Sequence, residues 1–159
     1  MTIVKYTLCL LITGISTWGV DWAWGVPLIV VTVVFHVWGL GIVRLQAFRA
    51  TSYAVMRRHH RVMFVAIVGG MTLSATLLHV IEALLWSFTY RFFNVFPDQR
   101  SAMLYSLNAL TSYGHENLHL DNPWQLMGAI ESLNGWLLFG VSTAFLFTVI
   151  QKVSSSETN

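Results

Sequence analysis

Long runs without a charged residue constrain this chain more than any other feature of its sequence. Residues 26–43 contain no Asp, Glu, Lys or Arg, nor do residues 62–81 or residues 132–150. A helix needs about 20 apolar residues to cross the hydrocarbon core of a bilayer. Only 10% of the 159 residues are charged, whereas about a quarter are charged in a soluble domain. We therefore predict an integral membrane protein, and we exclude a soluble enzyme, a disordered chain and a nucleic-acid-binding protein.

A fourth, shorter apolar run covers residues 6–20. Lys5 precedes this run as in a signal peptide, but no small-residue cleavage site follows, so we predict a retained helix. Asp21 then predicts a turn before the run at residues 26–43. The expected fold is an all-α membrane protein with four transmembrane helices. Because the chain has a single cysteine, Cys9, no intrachain disulfide can form.

The basic residues predict how these four segments are oriented. Seven of the nine lie before the first segment, between the second and third, or after the fourth: Lys5, Arg44, Arg49, Arg57, Arg58, Arg61 and Lys152. Positively charged residues accumulate in cytoplasmic loops. We therefore expect these stretches and both termini in the cytoplasm, with the protein in the plasma (inner) membrane.

The link between the third and fourth segments carries the functional signals. Pro97 disfavours helix at the residue before it, and residues 99–110 then form a helical stretch that is too short to cross a membrane. The polar residues 111–116 follow, and Asn122 and Pro123 end the link. A short helix that ends in irregular backbone at membrane depth must be buried in protein or line a water-filled path. The link therefore predicts a re-entrant pore helix and a pore loop.

This arrangement resembles the pore module of the tetrameric potassium-channel superfamily, over residues 61–152. The family's filter reads Thr-Val-Gly-Tyr-Gly-Asp, and its carbonyl oxygens replace the hydration shell of the ion. Tyr113 and Gly114 match the Tyr-Gly of that motif, whereas His115 replaces the acidic residue. The resemblance implies a selectivity filter formed by Thr111, Ser112, Tyr113, Gly114 and His115.

Two departures from the motif change the expected selectivity. Thr111 stands where valine is usual, and Ser112 stands where the family has its first glycine. That glycine adopts a positive φ, which costs a serine energy, so we expect Ser112 not to point its carbonyl inward. We predict a cation pore that conducts K⁺ or is weakly selective among monovalent cations, with Na⁺ or divalent ions as further candidates.

The fourth segment supplies the family's inner helix. Trp124 matches the aromatic residue that opens this helix, and Gly135 lies near the hinge-glycine position, with Gly140 as a second hinge candidate. Gly128, Ser132 and Gly135 also form a small-residue stripe typical of close helix packing. Hinge and packing both remain open for Gly135.

Polar residues within the spans are expected to line the cavity or support the filter, because charge at membrane depth is costly. Glu131 and Asn134 share one helical face, so Glu131 either forms a ring of four charges in the tetramer or hydrogen-bonds the pore helix or filter. For Glu82 we favour a structural role, with His79 as a pairing partner. His36 and His79 lie on different helices and are expected at different depths, which argues against a haem or metal site between them.

The predicted organisation has three parts. Residues 1–60 form a helix pair with a basic cytoplasmic loop, residues 61–152 form the pore domain, and residues 153–159 are a polar tail. One loop cannot surround an ion, so four copies must assemble about a fourfold axis.

The predicted function is the pore-forming subunit of a homotetrameric cation channel. It is not an enzyme, needs no cofactor besides the permeating cations, and has copies of itself and membrane lipids as partners. The alternatives are a haem- or metal-binding membrane four-helix protein and a non-conducting accessory subunit of a membrane complex.

Overall fold

The computed structural model describes the backbone of residues 2–54, 60–114, 120 and 124–155, and the side chains of residues 19–49, 62–114, 120 and 124–152. These residues form four helices, and no strand occurs among them. The helices are α1 (Thr2–Ala54), α2 (His60–Phe92), α3 (Gln99–Thr111) and α4 (Gln125–Ser155). The predicted all-helical fold is confirmed over this part of the chain.

Three of the helices are long and apolar enough to cross a membrane. The candidate spans are Gly19–Arg49 in α1, Val62–Phe92 in α2 and Gln125–Lys152 in α4. They expose large apolar side chains such as Val34, Leu73 and Trp136, as expected where lipid and not water surrounds a helix. The prediction of an integral membrane protein agrees with this finding.

The predicted turn at Asp21 is wrong. α1 continues through Asp21 and also contains Pro27, so the first two predicted segments belong to one helix. The prediction treated a charged residue as a break, but an aspartate inside a helix costs only about 0.7 kcal/mol in propensity. Asp21 is 1% exposed, and neither of its carboxyl oxygens has a hydrogen-bond partner among the described residues.

The chain divides into two compact units. The first, which we call the α3 unit, comprises Met1–Val31 and Ala83–Gly135; the second, the histidine unit, comprises Thr32–Glu82 and Trp136–Asn159. Each unit contains part of α1, α2 and α4, and only the first contains α3. The predicted domain boundary at residue 60 stays a prediction.

The core of the α3 unit is aromatic. Trp86 and Tyr90 of α2 pack with Phe96 and Tyr105, and Met127 and Ile130 of α4 complete the cluster. Gly25 of α1 lies against Ile130, where a Cβ on the glycine would come within 2.9 Å of the isoleucine Cγ2. Large aromatic side chains therefore fix α3 between α2 and α4.

The core of the histidine unit is aliphatic. Leu40, Ala75 and Leu78 form one cluster with Phe35 and Phe145 packed against it. A second cluster contains Ala47, Ile67, Met71 and Val149. Small residues on α1 allow close packing here as well, since a Cβ on Gly39 would meet the end of the Leu78 side chain.

Candidate functional site

Asp98 starts α3 as its N-cap. Its backbone is extended (φ −141°, ψ 159°), and its carboxylate accepts hydrogen bonds from the Ser101 backbone N–H at 2.9 Å and the Ser101 hydroxyl at 2.8 Å. These hydrogen bonds hold the pKa of Asp98 below its usual value. The predicted break at Pro97 is confirmed, because α2 ends at Phe92 and α3 begins at Gln99.

Side chains of α2 hold α3 in place. The Gln99 side-chain amide donates to the Ser87 hydroxyl at 2.8 Å. The Tyr105 ring lies edge-on to Tyr90, with ring centroids 5.4 Å apart. At about 1.5 Å per residue, the 13 residues of α3 span roughly 20 Å, less than the ~30 Å hydrocarbon core.

The carboxyl end of α3 turns into the predicted filter through a left-handed residue. Ser112 has φ 53° and ψ 27°, and its N–H donates to the Ala109 carbonyl at 3.0 Å. The Tyr113 N–H donates to the Asn108 carbonyl at 3.0 Å, and Gly114 has φ 94°. Ser112 therefore does adopt a positive φ despite its side chain, and it does so because it caps α3.

Four of the five predicted filter residues lie in the described part of the chain. Thr111, Ser112, Tyr113 and Gly114 are all exposed, and the Tyr113 side chain is 85% exposed. His115 lies outside the described residues. The loop that follows α3 is therefore exposed in the single chain.

Glycines of α4 meet α3 directly. A Cβ on Gly135 would overlap the carbonyl oxygen of Leu110, and a Cβ on Gly128 would overlap the Tyr105 hydroxyl. Gly140 has no neighbour within 4 Å of such a Cβ. Close packing against the last turn of α3 therefore explains Gly135, whereas the hinge prediction for Gly135 and Gly140 stays a prediction.

Glu131 of α4 is also buried where α4 packs against α3. Its side chain is fully buried, and its Oε2 accepts a hydrogen bond from the Tyr90 hydroxyl at 2.8 Å. Ser106 of α3 lies beside the same carboxyl, and Asn134 is also fully buried. Of the two predicted roles, this environment supports a carboxyl that holds α3.

Glu82 and His79 form a different cluster, in the histidine unit. Glu82 Oε1 lies 2.7 Å from His36 Nδ1, and Glu82 Oε2 lies 3.2 Å from His79 Nδ1. The hydroxyl of Ser142 lies 2.8 Å from His36 Nε2 and 3.2 Å from His79 Nε2. The predicted pairing of Glu82 with His79 is confirmed.

The expectation that His36 and His79 lie at different depths is wrong, because their ring centroids are 4.9 Å apart. That expectation placed His79 near the outer end of the third segment. α2 continues to Phe92, which brings His79 nearer the middle of its helix. The sequence spacing of His79 and Glu82 predicted one side of this cluster. Ser142 carries no comparable signal in the sequence, and neither does Tyr90.

Comparison of the chain with protein-family models, with curated proteins and with solved structures gave no match. The resemblance to potassium-channel pores therefore stays a prediction from the sequence of the link and of α4.

Proposed function

We propose that this chain is the pore-forming subunit of a homotetrameric cation channel. One observation carries the proposal: a short, capped helix packed on one face lies in sequence between two membrane-length helices and ends in an exposed loop with two residues of positive φ, Ser112 and Gly114.

The packing of α3 supports a re-entrant element. Irregular backbone is tolerated at membrane depth where it is buried in protein or lines a water-filled cavity. The Leu110 carbonyl lies on Gly135 of α4, so the backbone just before the loop is buried against a candidate membrane span. The loop itself is exposed in the single chain, which suits a surface completed by other copies.

Four copies are needed to turn this loop into a filter. Potassium-channel filters combine four loops around the ion, and closed rotational symmetry is the usual solution for identical subunits. In the proposed tetramer, residues Thr111–Gly114 of each copy face the axis, and lipids cover the remaining apolar surfaces of α1, α2 and α4. The transported ion is K⁺ or a mixture of monovalent cations, because the loop departs from the family's filter sequence at Thr111, Ser112 and His115.

The basic residues give the proposed orientation. The arginine-rich connection between α1 and α2 and the carboxyl end of α4 lie in the cytoplasm, by the excess of positive charge there. The membrane is the plasma (inner) membrane. An amino terminus on the same side requires the turn at Asp21, which α1 does not contain.

The alternative of a haem protein receives no support from His36 and His79. Both ring nitrogens of His36 and of His79 lie within 3.2 Å of Glu82 or Ser142. The two ring centroids are only 4.9 Å apart, which leaves no room for a macrocycle between the rings, so in this arrangement the pair cannot ligate a haem iron from its two faces.

Cation flux into liposomes tests the proposal. Purified protein should conduct K⁺ or Na⁺, and Gly114→Ala should reduce the flux or change its selectivity, because an alanine is strained at φ 94°. Gly69→Ala is the matched control, since a Cβ there meets nothing within 4 Å, and it should conduct as the unmodified protein does.

Two results would contradict the proposal. One is the absence of flux for K⁺, Na⁺ and a divalent cation from protein shown to be a stable tetramer. The other is a flux on which Gly114→Ala and Gly69→Ala have the same effect, since the pathway would then lie away from the loop.

A further inference from the structure

Four polar side chains that cluster in the histidine unit, three of them buried and His79 largely so, have no role in the proposed pore. They are His36 of α1, His79 and Glu82 of α2, and Ser142 of α4, and all four lie within candidate membrane spans. We propose that His36, His79 and Glu82 bind a divalent first-row transition metal ion, with Zn²⁺ as the best match, and that Ser142 orients the two histidines.

The ligand atoms already converge. One nitrogen from each histidine and one carboxylate oxygen lie within 4.8 Å of one another. Tetrahedral zinc with bonds of about 2.0–2.2 Å places its ligand atoms roughly 3.3 Å apart. The Nδ1–carboxylate distances of 2.7 and 3.2 Å are close to that separation, so small side-chain movements suffice to admit the ion.

The chemistry of the cluster points to a cation. Glu82 is fully buried, and Oε2 of its carboxylate has no hydrogen-bond partner among the described residues, although His79 Nδ1 lies 3.2 Å away. Within the described part of the chain, only His36 and His79 lie within ion-pair distance of this carboxylate. A buried carboxylate is costly without a compensating positive charge, and a metal ion held by this carboxylate and the two histidines would supply it.

Ser142 supplies a hydrogen-bond acceptor, which metal-bound histidines usually have on their other ring nitrogen. A histidine that ligates a metal donates its other ring N–H to a nearby acceptor, which fixes the tautomer and the ring orientation. A hydroxyl oxygen can accept two hydrogen bonds, and Ser142 Oγ lies 2.8 and 3.2 Å from the two Nε2 atoms. With the metal on the Nδ1 side, both Nε2–H groups donate to the same oxygen.

The ligand set selects the metal and leaves one position open. Two imidazoles and a carboxylate suit zinc and other divalent first-row transition metals, whereas magnesium and calcium prefer oxygen ligands. Three protein ligands leave a fourth tetrahedral position for water. The His79 side chain is 15% exposed and stacks on the ring of Phe139 at a centroid distance of 4.4 Å.

The test is Zn²⁺ binding by the purified full-length chain, measured by equilibrium dialysis with metal analysis and by the absorption bands of tetrahedral Co²⁺. We expect one ion per chain. Ser142→Ala should weaken binding by roughly 10–100-fold, as losses of a metal ligand's hydrogen-bond partner do, and Glu82→Gln or His36→Gln should weaken it further.

Matched controls separate this site from others. Glu131→Gln changes a buried carboxyl in the α3 unit, and His59→Gln changes a histidine that the sequence places between α1 and α2; both should bind Zn²⁺ as the unmodified chain does. Helix content and monodispersity establish that each variant is folded.

If the unmodified chain bound neither Zn²⁺ nor Co²⁺, the proposal would be overturned before any variant was measured. The four side chains would then form a hydrogen-bonded cluster without a metal ion. Binding that survives both Glu82→Gln and His36→Gln would overturn it as well, because the ion would then lie elsewhere. Since neither result depends on ion flux, the metal site and the proposed pore can fail independently.

Discussion

The two units each bury a glutamate within candidate membrane spans, and they surround it differently. In the α3 unit, Glu131 accepts a hydrogen bond from the Tyr90 hydroxyl among aromatic side chains. In the histidine unit, Glu82 faces two imidazoles and no phenol. A tyrosine hydroxyl keeps its proton at neutral pH, whereas an imidazole can gain a proton or bind a metal. The first arrangement fixes a helix, and the second is suited to hold a cation.

We expect the largest loss of stability from substitution of a glycine that packs against α3. Gly135→Ala places a methyl group against the backbone of Leu110, which cannot move without α3. We expect a loss of about 2–3 kcal/mol, at the upper end of overpacking effects, and loss of cation flux. Unfolding in detergent micelles and liposome flux measure the two effects.

Gly39→Ala in the histidine unit is the matched control. Its methyl group would meet the end of the Leu78 side chain, which can rotate away, and alanine gains about 1 kcal/mol in helix propensity over glycine. We expect a change below about 1 kcal/mol. Equal losses for the two variants would argue that α3 is not fixed by the backbone contact at Gly135.

We expect the next largest loss of stability from removal of the hydrogen bond to Glu131. Tyr90→Phe removes the donor and leaves the buried carboxyl oxygen without it, which should cost about 1–3 kcal/mol. In a Glu131→Leu background the same Tyr90→Phe change should cost less, since the acceptor is already gone. A double-mutant cycle of unfolding free energies measures the difference, and additive effects would contradict a direct interaction.

We expect the smallest change in stability from substitution of Asp98, the N-cap of α3, and this change should depend on pH. Because hydrogen bonds from Ser101 lower the pKa of Asp98, the carboxylate stabilises the folded state above its unfolded pKa. That contribution is lost as the pH falls through the lowered folded pKa. Asp98→Asn keeps a capping side chain but cannot titrate. Acid titration of the unfolding free energy should therefore lose one carboxylate step in this variant, and an unchanged acid limb would argue against the cap.

The long helices and the short α3 follow from the sequence because each depends on local features: charge-free runs, Pro97 and the N-cap Asp98. The turn at Asp21 was mispredicted, since nothing local distinguishes a charged residue in a turn from one buried inside a helix. The contact of Gly135 with Leu110 was half predicted, because the small-residue spacing indicated close packing but not its partner.

The histidine cluster depended on information that the sequence does not contain. His36 and Glu82 meet across 46 positions of sequence, and their contact requires the register of α1 against α2. Ser142 is one of several hydroxyl residues in α4, and no local pattern marks it as the residue that contacts both imidazoles. The end of α2 could be predicted, but whether His36 of α1 lies level with His79 of α2 depends on how the two helices pack and not on where either one ends.

Chemical modification at the loop tests the pore most directly. In a Cys9→Ser background, Tyr113→Cys places a thiol at a position that is 85% exposed after the carboxyl end of α3, and Arg100→Cys places one at its exposed amino end. A membrane-impermeant thiol reagent should block cation flux through Tyr113→Cys and leave flux through Arg100→Cys unchanged. Modification of both cysteines, verified by mass spectrometry, with undiminished flux through Tyr113→Cys would contradict a pore at this loop.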